Sequence, residues 1–300
     1  MGNRCSLLLG TFRVRQWTKN LLIFLPFLFT LNGSGISSDP LPLLTQLIDL
    51  FIVFLGFCSL SSAIYITNDL MDIENDRTHP TKRYRPIPAG LISIKSLVFV
   101  AVILTVTGFG LIWLTQPFLI LIPTIYLIVN ISYSIGGKLI PFLDAMLVSS
   151  GYVLRAVIGA LTINVAPSPW LYVVTASGAL FIVFSRRYAE IRLSGADIKK
   201  QRAVLTTYQG DLIGQLLTIS STATIVSYTL YTIEAPSLPD NMTMLLTVPI
   251  VLFGIFRYLH LLSTRSDAEY PEHLIFKDPQ LLGTIAFWLG TAGLILIFNR

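Results

Sequence analysis

The chain has 300 residues, of which 53% are hydrophobic and only 12% charged, with a mean hydropathy of +0.71, so it has too few polar groups to cover a water-soluble globule. It belongs in a bilayer. The formal charge of +5 follows membrane sidedness rather than forming a nucleic-acid patch, and no nucleic-acid partner is expected.

Apolar runs of the length a helix needs to cross hydrocarbon recur along the chain, and no alternating strand pattern competes with them. The expected fold class is all-α, a polytopic membrane bundle of nine transmembrane helices at about 17–32, 41–66, 94–114, 117–135, 141–163, 168–185, 210–232, 243–262 and 280–298. The first run is the weakest. Arg13, Arg15 and Lys19 ahead of "LLIFLPFLF" have the look of a signal peptide, but no clean small-x-small cleavage site follows, so an uncleaved first helix is expected. Trp17 marks its interface.

Loops alternate in charge. Those around 67–93, 186–208 and 263–279 are rich in Lys and Arg, whereas "NGSGISSDP", "NVAPSP" and "EAPSLPDN" have neither. The positive side is the cytoplasmic one, which gives a cell-membrane protein with its N-terminus inside and its C-terminus outside. Cys5 and Cys58 then lie on or near the cytoplasmic half, against a disulfide. No separate soluble domain is visible: residues 1–300 read as a single integral-membrane domain capped by the three charged loops, where the site is expected.

The stretch after the second span, "YITNDLMDIENDRTHPTKRYRPIPAG", carries Asp69, Asp72 and Asp76 at spacings of three and four. At 100° per residue these and Asn68 fall within about a 100° arc, with Glu74 well outside it. Like charges gathered on one helical face beside a membrane are costly without a neutralising cation. Oxygen donors lacking His or Cys favour Mg²⁺, with Mn²⁺ as the alternative, and Mg²⁺ keeps positions for water and phosphate. The competing reading is a solvated acidic loop balanced by Arg77, Lys82, Arg83 and Arg85; the phasing and the rigid "HPTKRYRPIP" favour a metal site.

Further along, Asp144 and Arg155 are the costly residues of the fifth span. Eleven residues apart, they share a face but stand about 16 Å apart along the axis, too far for a direct pair. The sixth span ends at Arg186, Arg187, Tyr188 and Glu190, followed by Lys199, Lys200, Arg202 and Tyr208.

"NDLMDIEND" with "RTHPTKRYRPIPAG" resembles the first aspartate-rich motif of the UbiA superfamily of intramembrane prenyltransferases, Asn-Asp-x-x-Asp-x-x-x-Asp. The resemblance implies nine transmembrane helices and a Mg²⁺-dependent site open to the cytoplasm. More narrowly, "RVRQWTKN", "HPTKRYRPI", "FLDAMLVSSGYVLRAVIGA" and "SRRYAEIRLSGADIKKQRAVLTTY" look like the decaprenyl-phosphate phosphoribosyltransferase branch. That likeness implies an enzyme that moves phosphoribose from phosphoribosyl pyrophosphate to a polyprenyl phosphate, for a cell-envelope polysaccharide precursor. Val14 stands where the branch usually has Pro.

On this likeness Asp69, Asp72 and Asp76 are the catalytic carboxylates and, with Asn68, the metal ligands. The substrate-binding set is Lys19, Asn20, Asn68, Lys82, Arg85, Arg155, Arg186, Arg187, Tyr188, Glu190, Lys199 and Arg202. Lys19 and Asn20 are expected on phosphate, Arg187 as a bidentate phosphate clamp, Tyr188 on the donor, and Arg155 on the acceptor phosphate or bracing the wall. Most of the superfamily carries a second Asp-x-x-x-Asp motif between helices six and seven; this chain has bases there instead, which suits a donor with several phosphates. Two alternatives stand beside this reading: a true prenyltransferase using a polyprenyl diphosphate, and a transporter, against which the polar residues gather at one membrane face. Self-association is left open.

Overall fold

The computed structural model describes residues 10–30, 41–78, 82–84, 86–194, 203–208, 210–236, 238–264, 274 and 277–298. Among these there is no strand. The elements are a 3₁₀ segment Val14–Phe24, then helices α1 (Leu25–Thr30), α2 (Leu41–Met71), α3 (Ile73–Thr78), α4 (Ile94–Thr115), α5 (Leu121–Ile135), α6 (Leu143–Thr162), α7 (Pro169–Ser194), α8 (Asp211–Glu234), α9 (Val248–Thr264) and α10 (Pro279–Phe298). Eight helices among the described residues are long and apolar enough to cross a membrane. The chain is a multi-pass membrane protein, and large side chains such as Phe99, Leu114 and Phe287 face outward from the bundle, where lipid rather than water suits them.

The first expected span takes a different form. In place of one α-helix, the 3₁₀ segment runs into the six-residue α1, and Pro26 occupies its first turn, where a missing N–H is tolerated. Tertiary contact holds this segment in place. Ile23 is fully buried, and its carbonyl lies so close to α6 that a Cβ on Gly159 would sit 2.0 Å from the oxygen. Gly159→Ala should therefore force the first segment off α6, costing about 1–3 kcal/mol. A thermal melt of the detergent-solubilised protein measures this, and an unchanged midpoint would show that the segment yields freely.

Helices α2 and α4 also approach closely through small residues. A Cβ on Gly108 would lie 2.6 Å from Leu60 Cγ and 2.9 Å from the Gly56 carbonyl. At the far side of the bundle Arg257 on α9 pairs with the buried Asp278 at 2.7 Å, and Asp278 also accepts from the Leu281 N–H at 3.0 Å, capping α10.

Two helices outrun their expected spans at the polar end. Helix α2 continues to Met71, and across the short break at Asp72 the bonds from Asp72 N to the Asn68 carbonyl (3.0 Å) and from Asp76 N to the Asp72 carbonyl (2.8 Å) keep helical pitch into α3. Helix α7 continues to Ser194, supported by Glu190 accepting from Arg186 at 3.2 Å and Arg187 at 2.8 Å. These extensions present the polar side chains to a common cavity.

Candidate active site

A cavity of about 270 Å³ opens between α2, α3, α5, α6, α7 and the 3₁₀ segment. Asn68, Asp69, Asp72 and Asp76 all line it. Glu74 does not: its side chain is 80% exposed and pairs with Arg77 at 2.9 Å. The phase read from the sequence thus survives the break in the helix.

Asn68, Asp69 and Asp72 each meet a group far away in the chain. Arg13 donates to Asp69 Oδ1 and stacks over the Tyr65 ring at 5.1 Å. Lys138, in the turn between α5 and α6, donates to Asp72 Oδ1 at 2.5 Å, and Ser134 on α5 donates to Asn68 Oδ1. Arg13 and Lys138 were not among the expected site residues. Both had been legible only as topology-setting charges, although Arg13 opens the "RVRQWTKN" stretch and Lys138 follows a Gly-Gly pair at a helix end.

The donor set fits a hard divalent cation by its chemistry, three carboxylates and an amide facing one space. In the arrangement described, Arg13 and Lys138 engage two of the carboxylates, and no three His, Cys, Asp or Glu side chains among the described residues converge closely enough to hold an ion. Cations predominate on the wall: Arg13, Lys19, Lys138, Arg155, Arg186 and Arg187 against Asp69, Asp72 and Asp76, six to three. Such a cavity attracts an anion.

The other expected substrate residues divide into wall and brace. Lys19 and Arg186 line the cavity, Lys19 donating to Gln16 at 3.0 Å. Asn20 was expected on phosphate but is fully buried, its Nδ2 donating to Cys58 Sγ at 3.2 Å and its Oδ1 accepting from Arg155 Nε at 2.6 Å. It stands behind Arg155 rather than on the wall. Tyr188 packs on the apolar cluster around Phe181 and Tyr258, not on the cavity. Glu190 acts on its own helix, as the acceptor for Arg186 and Arg187. Lys82 begins a short 3₁₀ turn, Lys82–Tyr84, while the expectations for Arg85, Lys199 and Arg202 lie outside the described residues.

Arg187 also differs from expectation. Its Nη2 donates to Asp144 Oδ2 at 3.0 Å and its Nη1 to Glu190 Oε2, so carboxylates already occupy the fork expected to clamp phosphate. Asp144 is almost wholly buried, and its second oxygen accepts from Tyr208 at 2.6 Å. Tyr208 in turn accepts from the Phe142 N–H at 2.7 Å, holding that residue at a positive φ of 66° at the start of α6. Burial pushes the Tyr208 phenol above its ordinary range, and its hydrogen bond to Asp144 pushes the same way, so it remains a donor. Sequence reasoning missed this relay, because residues 64 apart give no local sign that they meet.

The profile of the UbiA prenyltransferase family matches residues 20–277. The chain belongs to the UbiA prenyltransferase family. It is an enzyme. Among its relatives, the decaprenyl-phosphate phosphoribosyltransferase of Mycolicibacterium smegmatis is 33% identical, over 99% of this chain and 94% of that one. The protein of the same name from Corynebacterium glutamicum is 32% identical over 92% and 82% of the two chains. A solved UbiA homolog from Archaeoglobus fulgidus, bound to GPP and Mg²⁺, superposes with a TM-score of 0.69 at 16% identity, covering 97% of this chain and 99% of that one. The same homolog has been solved bound to Cd²⁺.

Proposed function

We propose that this UbiA-family enzyme transfers phosphoribose from phosphoribosyl pyrophosphate to a polyprenyl phosphate, releasing pyrophosphate. The observation that carries this reading is the cation surplus of the cavity, to which α7 contributes Arg186, beside an Arg187 held by Asp144 and Glu190, where most of the superfamily would place a second acidic motif. The relatives named decaprenyl-phosphate phosphoribosyltransferase support it. Mg²⁺ is the proposed metal, and the charged end is the proposed cytoplasmic face of a cell membrane, with the chain acting as one transferase domain that serves cell-envelope polysaccharide synthesis.

In this reading Arg13, Lys138 and Arg186 neutralise the donor's pyrophosphate at the cavity mouth, as preorganised charges aimed where negative charge develops. A divalent cation, when held by Asn68, Asp69, Asp72 and Asp76, supplies further neutralisation of the leaving group. The bond from the anomeric carbon to the pyrophosphate oxygen breaks and pyrophosphate keeps the electron pair. A lipid phosphate oxygen forms the new bond from the opposite face, inverting the anomeric centre. A phosphate monoester is largely ionised near neutral pH, so the wall needs no strong general base.

The second reading is a prenyl transfer, favoured by the GPP bound to the Archaeoglobus homolog. Membranes containing the protein, offered labelled phosphoribosyl pyrophosphate and, in parallel, labelled prenyl diphosphate, separate the two. Label should reach the lipid extract as phosphoribose; transfer from the prenyl diphosphate to an aromatic acceptor, with none from phosphoribosyl pyrophosphate, would establish the second reading instead.

A further inference from the structure

The deep end of the cavity is built differently from its mouth. Arg155 on α6 lines the floor yet is only 4% exposed. Its Nε donates to Asn20 Oδ1 at 2.6 Å, Nη1 to the Gly151 carbonyl at 2.6 Å, and Nη2 to Ser61 Oγ at 3.3 Å and Tyr126 Oη at 2.8 Å. Every one of these acceptors is neutral. No carboxylate among the described residues pairs with it, in contrast to Arg13, Lys138 and Arg187.

A guanidinium has five N–H groups. Four are spoken for, and the fifth is on Nη1, beside Gly151, which also lines the cavity. A Cβ at Gly151 would come within 3.3 Å of that nitrogen. The ring faces of Tyr126 and Phe57, at 4.8 and 5.9 Å, hold the cation in place without neutralising it. A full charge at this depth, fixed on neutral partners from four elements and keeping one donor free, is costly as a mere brace. It is suited to receive an anion.

The two charged ends are separate. Along α2, Ser61 lies seven residues before Asn68, and along α5, Tyr126 lies eight before Ser134, so the floor is about 10–12 Å below the mouth. Between them α2, α5 and α6 present neutral polar side chains, Tyr65, Asn130, Tyr133 and Tyr152, while the 3₁₀ segment adds Lys19, held by Gln16. One compact anion cannot span that distance.

We propose that Arg155 forms a second anion site, specific for a phosphate monoester and distinct from the pyrophosphate site at the mouth. Resting on the phosphoribosyl-transfer reading, the monoester is either the donor's own 5-phosphate, with the ribose against the neutral layer, or the phosphate of the acceptor lipid.

The test measures binding to the purified full chain in nanodiscs, using ribose 5-phosphate, geranylgeranyl phosphate and inorganic pyrophosphate as probes. Arg155→Gln should weaken one of the two monoesters by about tenfold, the loss of a charged hydrogen bond, and leave pyrophosphate within about twofold. Whichever monoester is weakened identifies the source. Gly151→Ala, which crowds the free N–H and removes no hydrogen bond, should weaken the same monoester, and it decides the matter if Arg155→Gln does not fold. Unchanged monoester binding in the variants, no monoester binding by the wild type, or an equal loss for pyrophosphate would overturn the site. Monoester binding that depends on Arg155 in a protein that transfers only prenyl groups would overturn the proposed reaction and leave the anion site standing.

Discussion

Asp72→Asn lowers turnover by about 100-fold or more while the protein still inserts and folds, and Asp69→Asn and Asp76→Asn do the same. All three carboxylates face the cavity from one side of the α2–α3 run, and neutralising any of them removes a charge that organises the leaving-group site. Two of them also hold wall cations, Asp69 holding Arg13 and Asp72 holding Lys138, so each substitution loosens a cation along with a carboxylate. Glu74→Gln is the internal control, because that side chain is turned outward to Arg77. Initial-rate assays on matched membranes measure the effect. Equal damage from Glu74→Gln and Asp72→Asn would mean that acidity of the segment, not its phased face, matters.

The second large effect is on stability. Arg187→Met leaves Asp144 buried without its cation and should destabilise the bundle by about 3–5 kcal/mol. Pairing it with Asp144→Leu removes the stranded carboxylate and should recover much of the loss. Melting of the solubilised variants measures both. A normal melt for Arg187→Met together with a raised KM for the donor would instead make Arg187 a phosphate ligand, as its sequence context had suggested.

The Arg187 result shows where sequence reading stops. Residue type and spacing placed Asp69, Asp72 and Asp76 on one face and Glu74 off it, because helical phase is a local property that persists across the break at Asp72. They also marked Arg155 and Asp144 as costly, because ionisable residues stand out in an apolar span. What each charge touches depends on packing between distant segments. Arg13 reaches Asp69 across 56 residues and Lys138 reaches Asp72 across 66, so neither contact leaves a local pattern. Asn20, grouped with Lys19 on the likeness of the "RVRQWTKN" stretch, points the other way, into Cys58 and Arg155. The first span was read as an ordinary helix because hydropathy is blind to the tight backbone approach at Gly159 that shapes it.

The most direct measurement of the central claim follows three labels through one reaction. The purified protein in nanodiscs containing a polyprenyl phosphate and Mg²⁺ is given phosphoribosyl pyrophosphate labelled separately in the ribose, the 5-phosphate and the pyrophosphate. Phosphoribosyl transfer predicts that ribose and 5-phosphate labels enter the lipid in equal amounts while the pyrophosphate label is released to water in the same amount. A lipid fraction that gains no ribose label, or that gains the pyrophosphate label, would contradict it.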